Sequence, residues 1–235
     1  MKVLGICGTN SKKKKSPAVW FLNQALAAAR AEGAETDLIK LIDYTIKPCS
    51  SCHLCMAGKP CPLLHDRHDD GNKVFEKIFW ADALIFSSPV YSYQQPATVI
   101  NLIQRSRCFH EVERGRYYGM KSVKRKGNPF AGKPVGNLAV SATIGQEGAL
   151  YGLLHNLRGL GATPVACAGI SLMDPVIRDM YKVSSDKKIK DMFNDSIPGY
   201  EHNDCAQDLA RNVGKWVCQV YRSEIFQKIK HLIKL

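Results

Sequence analysis

Short apolar runs alternate with longer helical patterns along this chain, and that alternation narrows its possible folds more than any other feature. Lys2–Cys7 (KVLGIC) reads as a buried strand. Residues 16–32 follow, with Val19, Leu22, Ala25, Leu26 and Ala29 at helical spacing. Ser16 fits the N-cap of that helix and Pro17 its first position. Residues 36–42 read as a second strand, 72–81 as a helix, and 83–86 as a short buried strand ending at Ser87-Ser88-Pro89. A short helix at 96–105 leads into a charged, aromatic loop over 108–133. A strand at 135–141, a helix at 147–160 and a strand at 164–169 come next. A helix at 204–221 carries Leu209, Val213, Trp216, Val217 and Val220 on one face. About five strands separated by helices predict an α/β fold, a doubly wound parallel sheet covered on both faces. A common five-stranded order of that kind is 2-1-3-4-5.

The chain has 235 residues, enough for one sizeable core. The expected organisation is one domain over 1–222, with an irregular segment 47–70 inserted, and a basic tail over 223–235. No repeat is visible, and the sequence assigns no role to 175–203. Hydrophobic residues make up 45% and charged residues 23%, which excludes a disordered chain or a fibre. The net charge of +12 favours acidic partners without choosing among them. No run approaches the ~18 apolar residues of a membrane span. The opening MKVLGIC is too short an apolar stretch for a signal peptide, so a cytoplasmic protein is expected.

Directly after the first strand comes Gly8-Thr9-Asn10-Ser11, then Lys12 to Lys15, then Ser16-Pro17. Open parallel sheets bind ligands at the carboxyl ends of their strands. A loop there, opening a helix, offers free N–H groups and a positive dipole end. The hydroxyls of Thr9, Ser11 and Ser16 add donors, and the lysines add charge. The second glycine and Gly-Lys-Ser/Thr ending of a Walker loop are absent, as is G-x-G-x-x-G. One phosphate fits better than a pyrophosphate; the bland alternative is a solvated turn.

Nine cysteines is a high count for this length, and four fall within thirteen residues. Cys49, Cys52, Cys55 and Cys61 are spaced C-x2-C-x2-C-x5-C-P. Structural zinc usually uses two separated C-x2-C knuckles. Three cysteines in a tight run, with a later Cys-Pro, follow the ferredoxin pattern instead. With only one run present, the simplest assignment places all four on one [4Fe–4S] cluster; zinc and unligated thiols are the alternatives. His53 inside the run reads as a neighbour of the cluster rather than a ligand. Cys7, Cys167 and Cys218 read as core packing.

The phosphate-type loop, the compact cysteine run and Ser88-Pro89-Val90-Tyr91 occur here in one order. In that combination the chain resembles the iron–sulfur flavoproteins, a branch of the flavodoxin-like NAD(P)H-dependent FMN reductases, over roughly residues 1–170. The resemblance implies a flavodoxin-like sheet and an FMN phosphate held by Thr9, Asn10, Ser11, Lys13, Ser16, Pro17 and Ala18. It implies that Ser88, Pro89, Val90, Tyr91 and Ser92 hold the ring and ribityl chain. Ser141, Ala142, Thr143, Ile144, Gly145 and Gly148 would flank the isoalloxazine. Cys49, Cys52, Cys55 and Cys61 would hold a [4Fe–4S] cluster. Ser11 stands where the family usually has arginine, so Lys12 to Lys15 would supply the charge.

The function implied is electron transfer between the cluster and FMN, with a ferredoxin as donor and an unidentified small-molecule acceptor. The resemblance also implies a homodimer or homotetramer in which one subunit's cluster approaches another's FMN. No catalytic triad or dedicated acid–base residue is identifiable. Gly145 and Gly148 would allow close approach to the ring or to a neighbouring loop. The competing enzyme is an NAD(P)H-dependent FMN or quinone reductase with a structural metal site. A nucleic-acid-binding module would use Lys121, Lys124, Arg125, Lys126 and the tail. The strand–loop–helix phosphate site argues against it, so neither nucleic acid nor membrane is expected as a partner.

Overall fold

A computed structural model of the chain describes residues 1–12, 16–57, 59–109, 127–142, 144–172 and 204–230. Five parallel strands form one sheet: β1 (Lys2–Cys7), β2 (Glu35–Lys40), β3 (Ala83–Pro89), β4 (Pro134–Ser141) and β5 (Thr163–Ser171). Their order is β2-β1-β3-β4-β5, with every neighbouring pair parallel. This is the expected doubly wound arrangement.

The helices are α1 (Pro17–Ala31), α2 (Gly71–Trp80), α3 (Ala97–Arg105), α4 (Gln146–Gly159), α5 (Asp204–Arg222) and the short α6 (Glu224–Ile229). Two cores follow from the two sheet faces. On one, Phe21, Leu22, Leu26, Val213 and Val217 of α1 and α5 pack on Val3, Ile85 and Leu138. On the other, Val74, Phe75, Ile78, Val99, Leu102, Leu153 and Leu157 of α2, α3 and α4 pack on Leu4, Ile6, Leu84 and Phe86. Strands buried on both sides explain why the runs read as continuous rather than alternating.

Several details differ from the sequence reading. β3 continues past residue 86 to Pro89, because Ser87 and Ser88 pair with Leu138 and Ala139 of β4. β2 stops at Lys40, and Leu41–Asp43 turns into a 3-10 helix. The buried stripe of α5 is Ala206, Ala210, Val213, Gly214, Val217 and Cys218; Leu209 and Trp216 point outward. The cause is close packing on α1: a Cβ on Gly214 would lie 2.1 Å from the Ala25 carbonyl oxygen. Cys167 is exposed, because β5 is an edge strand, whereas Cys7 and Cys218 are buried. The expected tail begins with α6, capped by Ser223 and anchored by buried Phe226. Among the described residues, no helix is long and apolar enough to cross a membrane.

Candidate functional site

The carboxyl ends of β1, β3 and β4 bring together the three loops singled out in the sequence. Gly8 N–H donates to the Ser87 carbonyl at 2.8 Å, and Val90 N–H to the Val140 carbonyl at 2.8 Å. Gly8 itself has no room for a side chain, since a Cβ there would lie 2.5 Å from Ser88 Oγ and from Val99 Cγ2. Thr9 is buried, and its Oγ1 accepts from Ser11 N–H at 3.1 Å and from Ser16 Oγ at 3.4 Å. Ser16 takes the N-cap position of α1 as expected, its carbonyl accepting from Trp20 N–H, but its hydroxyl makes no capping hydrogen bond. Pro17 does take the first helical turn, and Ala18 is buried beneath it. The loop thus presents hydroxyls at the start of a fifteen-residue helix. Lys13 lies outside the described residues.

After β3 the chain makes a tight turn. Tyr91 and Gln94 exchange both backbone hydrogen bonds, at 3.0 and 2.9 Å, around Ser92 and Tyr93. Both central residues have positive φ, 46° and 64°. That is the geometry usually given to Asn-Gly, so the backbone here is strained. The strain is held from outside. Gln95 is buried, and its Nε2 donates to the Ala149 carbonyl of α4 at 2.7 Å. A Cβ on Gly148 would lie 2.2 Å from the Tyr93 carbonyl oxygen, and one on Gly145 (φ 96°) would lie 2.5 Å from Tyr93 Cδ1. These glycines therefore serve the approach of the neighbouring loop. Asn10 N–H bonds the Tyr91 hydroxyl, joining the first loop to this turn; burial nevertheless raises the phenol above its ordinary pKa.

Ser88 Oγ and Ser141 Oγ are buried at the ends of β3 and β4 with no hydrogen-bond partner among the described residues. Orphaned hydroxyls at strand ends suit a ligand carrying acceptors and donors. Ala142 and Ile144 are exposed beside them, and Thr143 lies outside the described residues. The three loops thus provide a donor-rich cradle next to a rigid turn, which fits a ring bearing one phosphate.

The cysteine segment is closed at its root. Thr45 N–H donates to Asp70 Oδ2, and Asp70 N–H to the Thr45 carbonyl at 2.7 Å. Asp69 and Arg105 form a buried bidentate pair at 2.8 and 3.1 Å. Arg105 also donates to the Lys47 carbonyl at 2.9 Å, while Asp69 accepts from Lys47 and Gly71 N–H groups. Burial pushes the Asp69 carboxyl up, but Arg105 and these amides outweigh it and hold the carboxyl below its usual value. A Lys47–Asp66 pair at 2.6 Å fastens the base further.

Within this closed segment, Cys49, Cys52, Cys55 and Cys61 all line one small cavity of about 20 Å³. Cys55 and Cys61 pack against the core, whereas Cys52 faces outward. Leu54 N–H and the Ser50 hydroxyl bond the Cys52 sulfur and lower its pKa. Burial raises Cys55, opposed by the Arg107 charge; the thiols of Cys61 and Cys49 raise it further. Ser51 and His53 flank Cys52 with φ of 52° and 57°, so the backbone bends sharply on both sides of that cysteine. Among the described residues, no three His, Cys, Asp or Glu side chains converge closely enough to hold a single metal ion.

Two neighbours of this cavity went unnoticed in the sequence. Cys108 is a buried fifth thiol in its wall, donating to the Arg105 carbonyl at 3.2 Å. Arg107 lines the same wall. Both follow α3, over forty residues from the motif, so spacing carries no sign of them. A groove of about 550 Å³ adjoins the cavity, between Cys49, Ser51, the end of α3, and His155, Asn156 and Gly159 of α4. The strand-end loops meet α4 at its beginning, Gly145 and Gly148, and the groove meets it at its end. Along a helix, residues 146 and 155 are about 14 Å apart. Within one chain, then, the groove beside the cysteine cavity and the strand-end loops meet opposite ends of α4.

Comparisons with known proteins agree with this architecture. An iron–sulfur flavoprotein of Methanocaldococcus jannaschii is 36% identical over 107 residues, covering 46% of this chain and 52% of the relative. An iron–sulfur flavoprotein of Archaeoglobus fulgidus is 27% identical over 169 residues, covering 72% of this chain and 67% of the relative. The aligned part spans about half the length of the first of these relatives. The crystal structure of RosB with a bound 8-demethyl-8-formylriboflavin-5'-phosphate intermediate superimposes with a TM-score of 0.65. It is 15% identical, covers 98% of this chain and 81% of its own, and so supports the fold. The family model described as NADPH-dependent FMN reductase matches residues 1–172. The chain belongs to the NADPH-dependent FMN reductase family.

Proposed function

We propose that the chain is an FMN-dependent oxidoreductase that passes electrons between a [4Fe–4S] cluster on Cys49, Cys52, Cys55 and Cys61 and FMN at the strand ends. The observation that carries this reading is the convergence of four cysteines on one cavity in a member of an FMN reductase family. Relatives named iron–sulfur flavoproteins support it.

Thr9, Asn10, Ser11, Lys13 and Ser16, with Pro17 and Ala18 at the helix start, would hold the FMN phosphate. Ser88, Pro89, Val90, Tyr91 and Ser92, with Ser141, Ala142, Thr143, Ile144, Gly145 and Gly148, would hold the ring. When bound, the cluster exchanges single electrons, and FMN converts between single-electron and paired transfer. The protein's part is to fix position and access. The Tyr91–Gln94 turn is pinned by α4 and so cannot relax away from the ring. The cysteine segment is clamped at its root, so its loop stays in register.

A ferredoxin is the proposed donor, because an acidic carrier suits a surface of +12. A small-molecule acceptor completes the reaction. The opposed ends of α4 favour a composite redox site, in which the cluster of one subunit faces the FMN of another in a homodimer or larger assembly. The family description favours one competing reading, an NAD(P)H-dependent FMN or quinone reductase with a structural metal. Anaerobic stopped-flow reduction separates the two. A reduced ferredoxin should bleach cluster and flavin in sequence. Flavin reduction by NADPH at an equal rate in a Cys52→Ser variant would support the competitor.

A further inference from the structure

We propose that the Nε–H of Arg105 donates a hydrogen bond to a sulfur of the cluster and thereby raises its reduction potential. The inference rests on the cluster assignment above. Arg105 closes α3, lines the cavity with the four motif cysteines, and is 2% exposed. Its Nη1 donates to Asp69 Oδ2 and to the Lys47 carbonyl, and its Nη2 donates to Asp69 Oδ1. Its Nε is buried with no hydrogen-bond partner among the described residues. The guanidinium cannot swing round to find one. Asp69 holds it end-on at both Nη atoms, and Gly71 packs so closely that a Cβ there would lie 3.1 Å from Nη2. The edge left open is therefore the Nε edge, on a residue that lines the cysteine cavity.

A guanidinium is not deprotonated in a protein, so this Nε–H is a permanent donor. A buried donor on a cation is costly to leave unpaired, so it calls for a strong acceptor. Neutral thiols accept weakly, whereas the sulfurs of a cubane on four thiolates carry negative charge. One-electron reduction adds to that charge, so an N–H donor binds the reduced cluster more tightly and the midpoint potential rises. Asp69 compensates the charge of Arg105, so the effect is carried by a directed N–H group rather than by net charge.

The test combines an anaerobic redox titration with pulsed paramagnetic resonance of the reduced cluster. Arg105→Lys keeps a cation for Asp69 but removes the Nε donor. It should retain about four irons per chain, and its cluster midpoint should fall. At fixed potential the reduced-to-oxidised ratio should drop about tenfold, or ~59 mV for one electron, while the flavin midpoint stays in place. A second measurement leaves Arg105 intact and decides the matter even if the Lys variant loads poorly. Protein labelled with the heavy nitrogen isotope in its arginine guanidinium groups should show a nitrogen hyperfine coupling to the cluster. An Arg107→Lys background removes the other guanidinium that lines the cavity, and the coupling should persist there. An unchanged cluster midpoint in fully loaded Arg105→Lys protein, or no guanidinium coupling in the labelled Arg107→Lys protein, overturns the inference. Absence of iron and sulfide from the wild-type protein would instead overturn the cluster assignment beneath it.

Discussion

Gly148 has no space for even a methyl group, because its missing Cβ would lie 2.2 Å from a backbone carbonyl. Gly148→Ala should therefore cost about 1–3 kcal/mol, and it should displace the Tyr91–Gln94 turn. A thermal melt and an FMN titration on the same variant check both consequences. Ser16→Ala should weaken FMN tenfold or more, since a hydrogen bond to a charged group contributes ~1.5–3 kcal/mol. The structure removes any capping contribution from that figure, as the hydroxyl faces Thr9. An unchanged FMN dissociation constant would place the phosphate elsewhere. Cys52→Ser or Cys55→Ser should lose iron and sulfide while keeping FMN, because the strand-end loops are separate segments. At this scale the motif cysteines and the loop hydroxyls were legible, because chemistry concentrated in short strings survives in the sequence. Cys108 and Arg107 were not legible, because only tertiary packing brings the end of α3 to the cysteine cavity.

The cysteine segment is an element in its own right, irregular in backbone but closed by one buried ion pair. Breaking that pair from one side leaves a charge without its partner, which costs about 3–5 kcal/mol. Arg105→Met should thus destabilise the fold and loosen the root at Lys47, read as a lower melting temperature and faster amide exchange over 45–70. The pair also predicts an acid dependence. The Asp69 pKa is lowered in the folded state, so its contribution is fully present above the ordinary aspartate value of about 3.9. It is lost as pH falls through the lowered folded value. A melting curve for Asp69→Asn should lack that acid-side loss. Among the regular elements, strand and helix identity followed from short apolar runs and helical spacing, and no end shifted by more than three residues. The inward face of α5 was misread because close helix contact demands Ala and Gly, which carry little hydrophobic signal.

For the whole molecule, the sheet order and the two covered faces were readable, since five alternating units admit few right-handed solutions. The sequence did not reveal that the groove beside the cysteine cavity and the strand-end loops meet opposite ends of α4. That separation makes assembly part of the proposed mechanism. A mixed oligomer tests it, with one chain carrying Cys52→Ser and the other Tyr91→Ala with Ser16→Ala. Cluster-dependent FMN reduction should survive at one of the two sites of a mixed dimer. Its loss would favour transfer within a single chain. The central claim, that one chain of this FMN reductase family holds both a flavin and a cubane, rests on a simpler measurement. Anaerobically purified protein should contain about one FMN, four irons and four sulfides per chain, with flavin bands on a broad iron–sulfur shoulder. Flavin without sulfide, or zinc in place of iron, would contradict it.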